Sequence, residues 1–366
     1  MNILYLSHLS GASYAGPTYS VPKQIEAQSK IDCVFWYNAI EKSPDDWKSI
    51  PYYHDLTEYP REHIAALPAP FNRPDMVVVE CFYNMFTSPL MRELMRGNLP
   101  YIIVPRGELT KQAQKRKKWK KSIANLLGCR RYARKAAAIQ YLTAQEYQDA
   151  GDAWNAEHLI IPNGVEMPEI TKRSFSENQI KCVSIGRISP YHKGLDLLIE
   201  ACAGIKDELI KANCSVMICG PDGEGKVAEL SKMVSEYGLQ EIISFRDGVY
   251  GEEKRELLLN SDVFLITSRF EGHPMALIEA LSYGLPVVAT TGSNMRKEIE
   301  TAEAGWTADN DADSIKEALK VAIDNQRKYP EISEKAIALA KKYKWESLAE
   351  KSHACFTHLI RREINE

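Results

Sequence analysis

Residues 263–290 read VFLITSRFEGHPMALIEALSYGLPVVAT. The apolar run Val263–Ile266 has the length of a buried strand, and Pro274 is well placed to begin a helix. Apolar residues then recur at helical spacing before a second apolar run, Pro286–Ala289. A strand, a helix and a strand in this order predict one unit of a parallel sheet, so the stretch indicates an α/β fold.

Similar apolar runs flank this unit along the chain, each bounded by Gly, Pro, Asn or Asp. Amphipathic segments such as Gly194–Lys211 and Glu252–Asn260 separate them and carry apolar residues at helical spacing. The repeated alternation predicts doubly wound parallel sheets. The other predicted strands are Ile3–Leu6, Cys33–Tyr37, Met76–Val79, Tyr101–Val104, Ala138–Leu142, Leu159–Ile161, Cys182–Ile185, Val216–Cys219 and Ile242–Phe245.

The alternation pauses at residues 161–179, which read IPNGVEMPEITKRSFSENQ. Proline, Asn-Gly and a polar tract are typical of a linker. We therefore expect an N-terminal domain at 1–163, a hinge at 164–179 and a C-terminal domain at 180–345. Residues 346–366 are expected to form a helix that packs back towards the N-terminal domain.

Composition excludes several classes of protein. The chain has 366 residues, of which 45% are apolar and 26% charged, as in soluble proteins of two domains. A net charge of −3 argues against a nucleic-acid partner. No apolar run reaches the roughly 18 residues of a membrane-spanning helix, and the start, MNILYLSHLS, lacks the basic region of a signal peptide.

The cysteines and acidic residues do not suggest a metal site. The eight cysteines are scattered without a C-x-x-C motif, which indicates a reduced, cytoplasmic protein with no zinc. The acidic cluster Asp309–Asp313 lacks the glycine and terminal glutamate of a calcium loop. We therefore expect no metal.

Two pairs of charged residues lie where predicted strands end. Arg187 and Lys193 can together neutralise a diphosphate by charge-assisted hydrogen bonds. Glu271 and Glu279 flank the start of a helix, whose free amides suit an anion and whose carboxylates can accept from sugar hydroxyls. Each pair also has a plainer interpretation, as solvated side chains. The neighbouring His192 is expected to be exposed.

Together these segments resemble a retaining glycosyltransferase of family 4, also described as glycosyl transferases group 1. The resemblance is dense over residues 160–310 and implies the GT-B fold, an α/β architecture of two Rossmann-like doubly wound parallel-sheet domains that face each other across a cleft. The matching segments are Ile161–Val165, Gly186–Gly194, Cys219–Gly223, Ser261–Val263, Glu271–Glu279 and Gly284–Val288.

The resemblance implies roles for individual residues. Arg187 and Lys193 would hold the diphosphate of a nucleotide-diphosphate-sugar donor. Glu279 would bind the ribose, and Glu271 would lie beside the transferred sugar. Further donor contacts are expected from Gly16 in the N-terminal glycine loop Gly11–Thr18. In the C-terminal domain they are expected from Val249, Gly272, His273, Met275 and Ala276.

The segment VPRGEL at 104–109 departs from the family pattern. Arg106 stands where many relatives have a histidine, and arginine cannot accept a proton at neutral pH. We therefore expect an electrostatic or positioning role for Arg106 at the catalytic site. Glu108 and Glu146 are secondary candidates for the same site.

The resemblance also implies the reaction. It is the transfer of a sugar with retention, without a metal or other cofactor, and with a UDP-sugar favoured as donor. The acceptor is expected to be a hydroxyl of a lipid-linked or growing bacterial surface glycan, such as an O-antigen of lipopolysaccharide. Two alternatives remain: a nucleotide-sugar epimerase of the same fold, and an inactive sugar-nucleotide-binding protein.

Residues 111–135 carry eleven Lys or Arg and no acidic residue. Trp119, Ile123, Leu126 and Leu127 interleave with the cations. One interpretation is a basic helix that lies on the anionic inner membrane face as a peripheral contact. The other is an ordinary surface helix whose apolar stripe faces the core, and the sequence does not decide between them.

Overall fold

A computed structural model describes residues 1–12, 16–115 and 117–365. The chain forms two compact units, of which the first combines Met1–Gly164 with Trp345–Glu366 and the second is Val165–Lys344. Residues 165–179, expected as a separate hinge, belong to the second unit. The backbone N–H of Val165 donates to Tyr343 and that of Lys172 to Tyr283, which attaches this segment to its own unit.

Within the described residues, the sheet of the first unit has seven parallel strands in the order β3-β2-β1-β4-β5-β6-β7. The strands are β1 (Asn2–Ser7), β2 (Cys33–Asn38), β3 (Tyr53–Asp55), β4 (Met76–Glu80), β5 (Tyr101–Val104), β6 (Ala138–Tyr141) and β7 (His158–Ile160). The helices are α1 (Gly16–Ser29), α2 (Asp45–Lys48), α3 (Pro89–Arg96), α4 (Lys111–Lys115), α5 (Lys118–Ala124), α6 (Arg130–Lys135) and α7 (Ala144–Ala150). Only β3 escaped prediction, because it is a three-residue edge strand with two polar residues.

The described residues of the second unit form six parallel strands in the order β10-β9-β8-β11-β12-β13. The strands are β8 (Ile180–Ile185), β9 (Cys214–Cys219), β10 (Ile243–Arg246), β11 (Val263–Ile266), β12 (Val287–Thr290) and β13 (Gly305–Ala308). The helices are α8 (Pro190–Lys193), α9 (Leu195–Ala203), α10 (Lys206–Lys211), α11 (Val227–Glu236), α12 (Gly251–Asn260), α13 (Met275–Ser282), α14 (Arg296–Ala302), α15 (Ala312–Asp324) and α16 (Tyr329–Ala340).

The amphipathic segment Gly194–Lys211 forms two helices. α9 ends at Ala203 with Gly204 as its C-cap, and Ile205 has a non-helical backbone (φ −131°, ψ 30°) before α10 begins. The edge strand β13 was also missed, since its four residues lack a continuous apolar run.

Burial on both faces of each sheet explains why the strands read as continuous apolar runs. Leu4 and Leu6 of β1 pack into one core cluster, whereas Ile3 and Tyr5 pack into the cluster on the opposite face. β11 divides in the same way, with Leu265 in one cluster and Phe264 in the other. The predicted class, two Rossmann-like α/β domains, is confirmed.

The last helix, α17 (Trp345–Asn365), belongs to the first unit. Phe356 and Leu359 of α17 are buried in the cluster that contains β1, β2 and α1. The ring nitrogen Nδ1 of His353 lies 2.9 Å from Oδ1 of Asp32. Among the helices described here, none is long and apolar enough to cross a bilayer.

Candidate functional site

The strand order of the second unit indicates where a ligand would bind. The connections leave β8 and β11, two adjacent strands, in opposite directions along the sheet. In doubly wound sheets, ligands bind beyond the carboxyl ends of strands at such a switch point. The loops that follow β8 and β11 are therefore the candidate site, and they contain Arg187, Lys193 and Glu271.

Close backbone contacts fix the two loops. A Cβ added to Gly220 would lie 1.7 Å from the carbonyl oxygen of Gly186. The ends of β8 and β9 are therefore so close that residue 220 must be a glycine. Gly194 has a left-handed φ of +60°, and a Cβ there would meet the Thr267 carbonyl at 2.0 Å. The Thr267 hydroxyl is 3.0 Å from the carbonyl oxygens of both Lys193 and Gly194. The loop after β8 is thereby tied to the loop after β11.

Lys193 and Glu271 meet at this edge of the sheet. Nζ of Lys193 lies 2.5 Å from Oε1 of Glu271, and the Ser268 hydroxyl donates to the same oxygen at 2.7 Å. Burial alone would raise the pKa of Glu271, but Lys193, His192 and Ser268 together outweigh that effect, and the pKa lies below its ordinary value. Glu271 is therefore an anion, while its ammonium partner retains two further N–H donors for a ligand.

Arg187 contacts His192 in the same loop. Nη2 of Arg187 is 3.1 Å from Nδ1 of His192, and Nε2 of His192 is 2.8 Å from the carbonyl oxygen of Phe270. The imidazole also stacks on the Phe270 ring, with 4.3 Å between centroids. The expectation of an exposed His192 is thus wrong, because the loop folds this side chain between its two partners.

The helix α13 begins next to Glu271. Pro274, the predicted first residue of this helix, is its N-cap, and the helix begins one residue later. Met275 and Ala276 therefore lie in the first turn, where backbone N–H groups have no intrahelical partner. The Asn294 side-chain amide donates to the carbonyl oxygens of Glu271 and Gly272, which fixes the preceding turn.

His273, in contrast, points into the interior. It is 6% exposed, and its ring lies 5.3 Å from that of Tyr343. Burial lowers the pKa of His273 to about 3, so the ring is neutral. Only the backbone of His273 is therefore placed to serve a ligand.

Glu279, on α13, forms an ion pair with a residue of the neighbouring chain segment α12. Its Oε2 is 2.8 Å from Nζ of Lys254 on α12. Lys254 was missed in the sequence because it lies on a helix 25 residues away, and no motif connects the two. Val249, expected near the base, is 3% exposed and packs in the core, which leaves its backbone as the ligand-binding part.

Arg106 has a different environment from the one expected of a catalytic group. Its guanidinium pairs with Glu80 at 2.7 Å and also donates to Ser20, Gln24 and Asn163. The side chains of Arg106 and Glu80 are 5% and 0% exposed. These contacts connect Arg106 to α1, to the last residue of β4 and to Asn163, and they favour a structural role for Arg106.

Glu108 and Glu146 support the same loop. Glu108 accepts from the backbone N–H groups of Phe82 and Tyr83, and Glu146 accepts from those of Gly107 and Leu142. Burial raises the pKa of both carboxyls despite these bonds. Their contacts are to protein backbone, which argues against a direct role for either carboxylate at the predicted site.

The N-terminal glycine loop is described only in part, because residues 13–15 of Gly11–Thr18 lie outside the described residues. Gly11 has φ +70°, and a Cβ there would clash with Pro44 at 2.0 Å. Gly16 begins α1, and a Cβ there would meet no atom within 4 Å. Of these two glycines, Gly11 is thus the one required by packing.

The basic segment is not one helix. α4 and α5 are separated near Lys117, which has a left-handed φ of +52°, and the π-helical turn Asn125–Cys129 leads into α6. Arg116 lies outside the described residues. The interleaved apolar residues are strongly exposed: Trp119 66%, Ile123 48%, Leu126 87% and Leu127 70%. The interpretation that these side chains face the core is therefore wrong.

Comparison with known proteins connects the site to chemistry. Residues 167–342 match the family described as glycosyl transferases group 1. WcaL of Salmonella typhimurium, a protein named for colanic acid biosynthesis, is 30% identical over 161 residues, which are 42% of this chain and 38% of WcaL. The chain thus spans about two fifths of the length of that relative.

Solved structures share the fold over nearly the whole chain. Sucrose-phosphate synthase from Thermosynechococcus elongatus superposes with a TM-score of 0.74 at 15% identity, covering 99% of both chains. HepE from Anabaena in complex with UDP gives a TM-score of 0.71 at 17% identity, covering 98% of this chain and 100% of HepE. Residues 167–342 are therefore similar to glycosyl transferases group 1, and the solved structures show that the whole chain shares the GT-B fold.

Proposed function

We propose that this protein transfers a sugar from a nucleoside diphosphate sugar to a hydroxyl acceptor. The observation that carries the proposal is that Arg187 and the Lys193–Glu271 ion pair lie at the switch point of the second sheet, beside the start of α13. Two cations and free helix amides stabilise the negative charge that develops on a departing diphosphate. The match of residues 167–342 to glycosyl transferases group 1 supports the same chemistry.

The remaining donor contacts follow from the same geometry. Lys254 holds Glu279 through Oε2, and a carboxylate accepts through both oxygens, so Oε1 can accept from a ribose hydroxyl. The backbone near Val249 and the turn Gly272–Ala276 would contact the base and the sugar. The UDP bound to HepE, which shares the fold, favours a UDP-sugar as the donor.

We further propose that the reaction retains the anomeric configuration and needs no metal. Arg187 and Lys193 supply the positive charge that a divalent ion would bring to the diphosphate. Glu271 is engaged by Lys193 and Ser268, which suits a positioning role better than nucleophilic attack. Retention would be tested by determining the product anomer by NMR from a donor of known configuration.

The first experiment identifies the donor. The pure protein is screened by thermal shift against UDP, GDP and ADP compounds, and a ligand at 100 times its Kd should add about 2.7 kcal/mol. The favoured donor is then tested for hydrolysis and transfer. A free isomer of the donor formed without any acceptor would instead indicate an epimerase, and binding without turnover would indicate an inactive binding protein.

Substitutions then test the diphosphate contacts. Arg187→Ala and Lys193→Ala should each lower turnover by about 10²-fold, the loss seen for a single electrostatic donor. Lys232→Ala is the matched control, since that side chain is 78% exposed on α11. Near-normal turnover in both site variants would refute the assignment.

The proposal for the acceptor concerns an exposed surface of the first unit. We propose that the surface formed by Trp119, Ile123, Leu126 and Leu127 with the surrounding cations docks on the anionic inner membrane face. Exposed apolar residues at helical spacing, rimmed by Lys and Arg, match an interfacial lipid-binding surface in both hydrophobicity and charge. A peripheral position at the membrane would give access to a lipid-linked glycan, in keeping with the colanic acid biosynthesis for which WcaL is named.

Vesicle sedimentation tests this surface. Binding to phosphatidylglycerol vesicles should exceed binding to phosphatidylcholine and fall steeply as salt rises, since each Lys or Arg contributes about 1 kcal/mol at such a surface. Replacing Trp119, Leu126 and Leu127 with Ser should release the protein while hydrolysis of the soluble donor persists. Lys341→Gln with Lys342→Gln, on an exposed turn of the second unit, is the control. Equal binding of wild type to both vesicles at low salt would refute the membrane proposal.

A further inference from the structure

His192 has two partners that fix its chemical form. The Phe270 carbonyl oxygen, 2.8 Å from Nε2, can only accept a hydrogen bond, so Nε2 carries the proton. The Arg187 guanidinium, 3.1 Å from Nδ1, can only donate, so Nδ1 must be an unprotonated acceptor. The two contacts together require the neutral Nε2–H tautomer of His192.

The surroundings favour this neutral form. Burial is the largest effect that lowers the pKa of His192, and the positive charges of Lys193 and Arg187 lower it further. Glu271 acts in the opposite direction. Arg269 and Asp196 also border α8, but they neutralise each other through two contacts of 2.7 Å.

We infer that His192 is a positioning residue that orients the Arg187 guanidinium for the donor diphosphate, an inference that rests on the proposed function. The long Arg187 side chain has many rotamers, and one hydrogen bond to a fixed acceptor reduces their number before a ligand binds. His192 is itself fixed, because its ring stacks on Phe270 and its backbone carbonyl accepts from the N–H of Arg269.

The inference predicts a dependence on pH. Protonation of Nδ1 removes the acceptor for Arg187 and places a second cation beside the guanidinium. Diphosphate affinity should therefore fall as acidification protonates His192. The phosphate of a nucleoside diphosphate also titrates near pH 6, so a variant that cannot titrate at this position is needed to separate the two effects.

Two substitutions provide that separation. His192→Asn places an amide oxygen close to the position of Nδ1, so it keeps an acceptor for Arg187 and does not titrate. His192→Phe keeps an aromatic ring to stack on Phe270 but has no acceptor. The two variants therefore differ in the contact that the inference concerns.

The test is calorimetric binding of UDP to the full chain between pH 5 and 8. At pH 7.5, His192→Phe should bind UDP about tenfold more weakly than wild type, the factor for one hydrogen bond to a charged group, whereas His192→Asn should bind almost as well. Towards pH 5, wild-type affinity should fall more steeply than that of His192→Asn. A merely structural histidine would change the melting temperature without this difference in pH profile.

The variant Arg187→Ala distinguishes failure of the His192 inference from failure of the proposed donor site. If it weakens UDP binding and His192→Phe adds nothing further in the same chain, the positioning role is supported, because the two residues act as one unit. If Arg187→Ala weakens binding but His192→Phe and His192→Asn behave alike, the role of His192 is refuted and the donor site stands. If neither Arg187→Ala nor Lys193→Ala affects UDP binding, the donor site and the inference are both refuted.

Discussion

Replacing Arg106 with Ala should strongly destabilise the first unit. The Arg106 guanidinium and the Glu80 carboxylate form an ion pair of 2.7 Å with side-chain exposures of 5% and 0%. Removing one partner of such a pair leaves the other charge buried and uncompensated, which costs about 3–5 kcal/mol. The substitution also removes donors to Ser20, Gln24 and Asn163.

The size of the unit converts this loss into a melting temperature. The first unit has 186 residues, 164 from Met1–Gly164 and 22 from Trp345–Glu366. For a domain of that size, each kcal/mol shifts Tm by 2–4 °C, so the expected decrease is about 6–20 °C. The alanine variant does not recover any of this free energy through the backbone, because residue 106 keeps a left-handed φ of +48°, which is unfavourable for alanine as well.

Tryptophan fluorescence during urea unfolding reports on the relevant unit. Five of the six tryptophans lie in the first unit, and four of them are buried: Trp36, Trp47, Trp154 and Trp345. The matched control is the double variant Arg106→Met with Glu80→Gln, which removes both charges. The double variant should be more stable than Arg106→Ala, because no buried charge remains unpaired.

The outcome also decides between a structural and a catalytic role for Arg106. A decrease of less than about 1 kcal/mol, the level of an exposed ion pair, would refute the structural role. So would a double variant as unstable as the single one. A stable Arg106→Ala protein that has lost transfer activity would restore the original prediction of a catalytic position.

Three further predictions concern the second unit. Glu279→Gln should weaken binding of UDP and of the intact donor alike, whereas Glu271→Gln should lower turnover more than UDP affinity; the reverse pattern in titrations and assays would show that the roles are exchanged. A chelator should leave transfer unchanged, and a requirement for added Mg²⁺ or Mn²⁺ after stripping would contradict metal independence. The pKa of His273, lowered from 6.5 to about 3, means that only the unfolded state gains this proton between these values. Stability should therefore fall with acidification by up to about 1.4 kcal/mol per pH unit, and His273→Phe should flatten that part of the pH–stability curve.

The sequence by itself determined the fold class and most strands. Val263–Ile266 was predicted with its observed bounds, because a strand buried on both faces must be apolar at every position. The same reasoning failed for β3 and β13, whose edge positions relax that requirement. Helix breaks at Gly204 and Lys117 depend on local backbone geometry, which periodicity does not record.

The sequence also brought Arg187, Lys193 and Glu271 forward as one site, since charged residues at the ends of parallel strands meet at one edge of the sheet. It could not supply their partners. His192, Ser268 and Lys254 gain their roles from contacts that only the folded chain makes.

Only the tertiary structure decided which polar residues are buried among protein partners and which apolar residues are exposed. Arg106 and Glu146 are residue types common at catalytic sites, but both form hydrogen bonds to other parts of the protein. Leu126 and Leu127 have the composition of a core, yet they face solvent. The physical reason is the same in both cases: sequence gives the chemistry of a side chain, whereas its partners and its access to water depend on residues distant along the chain.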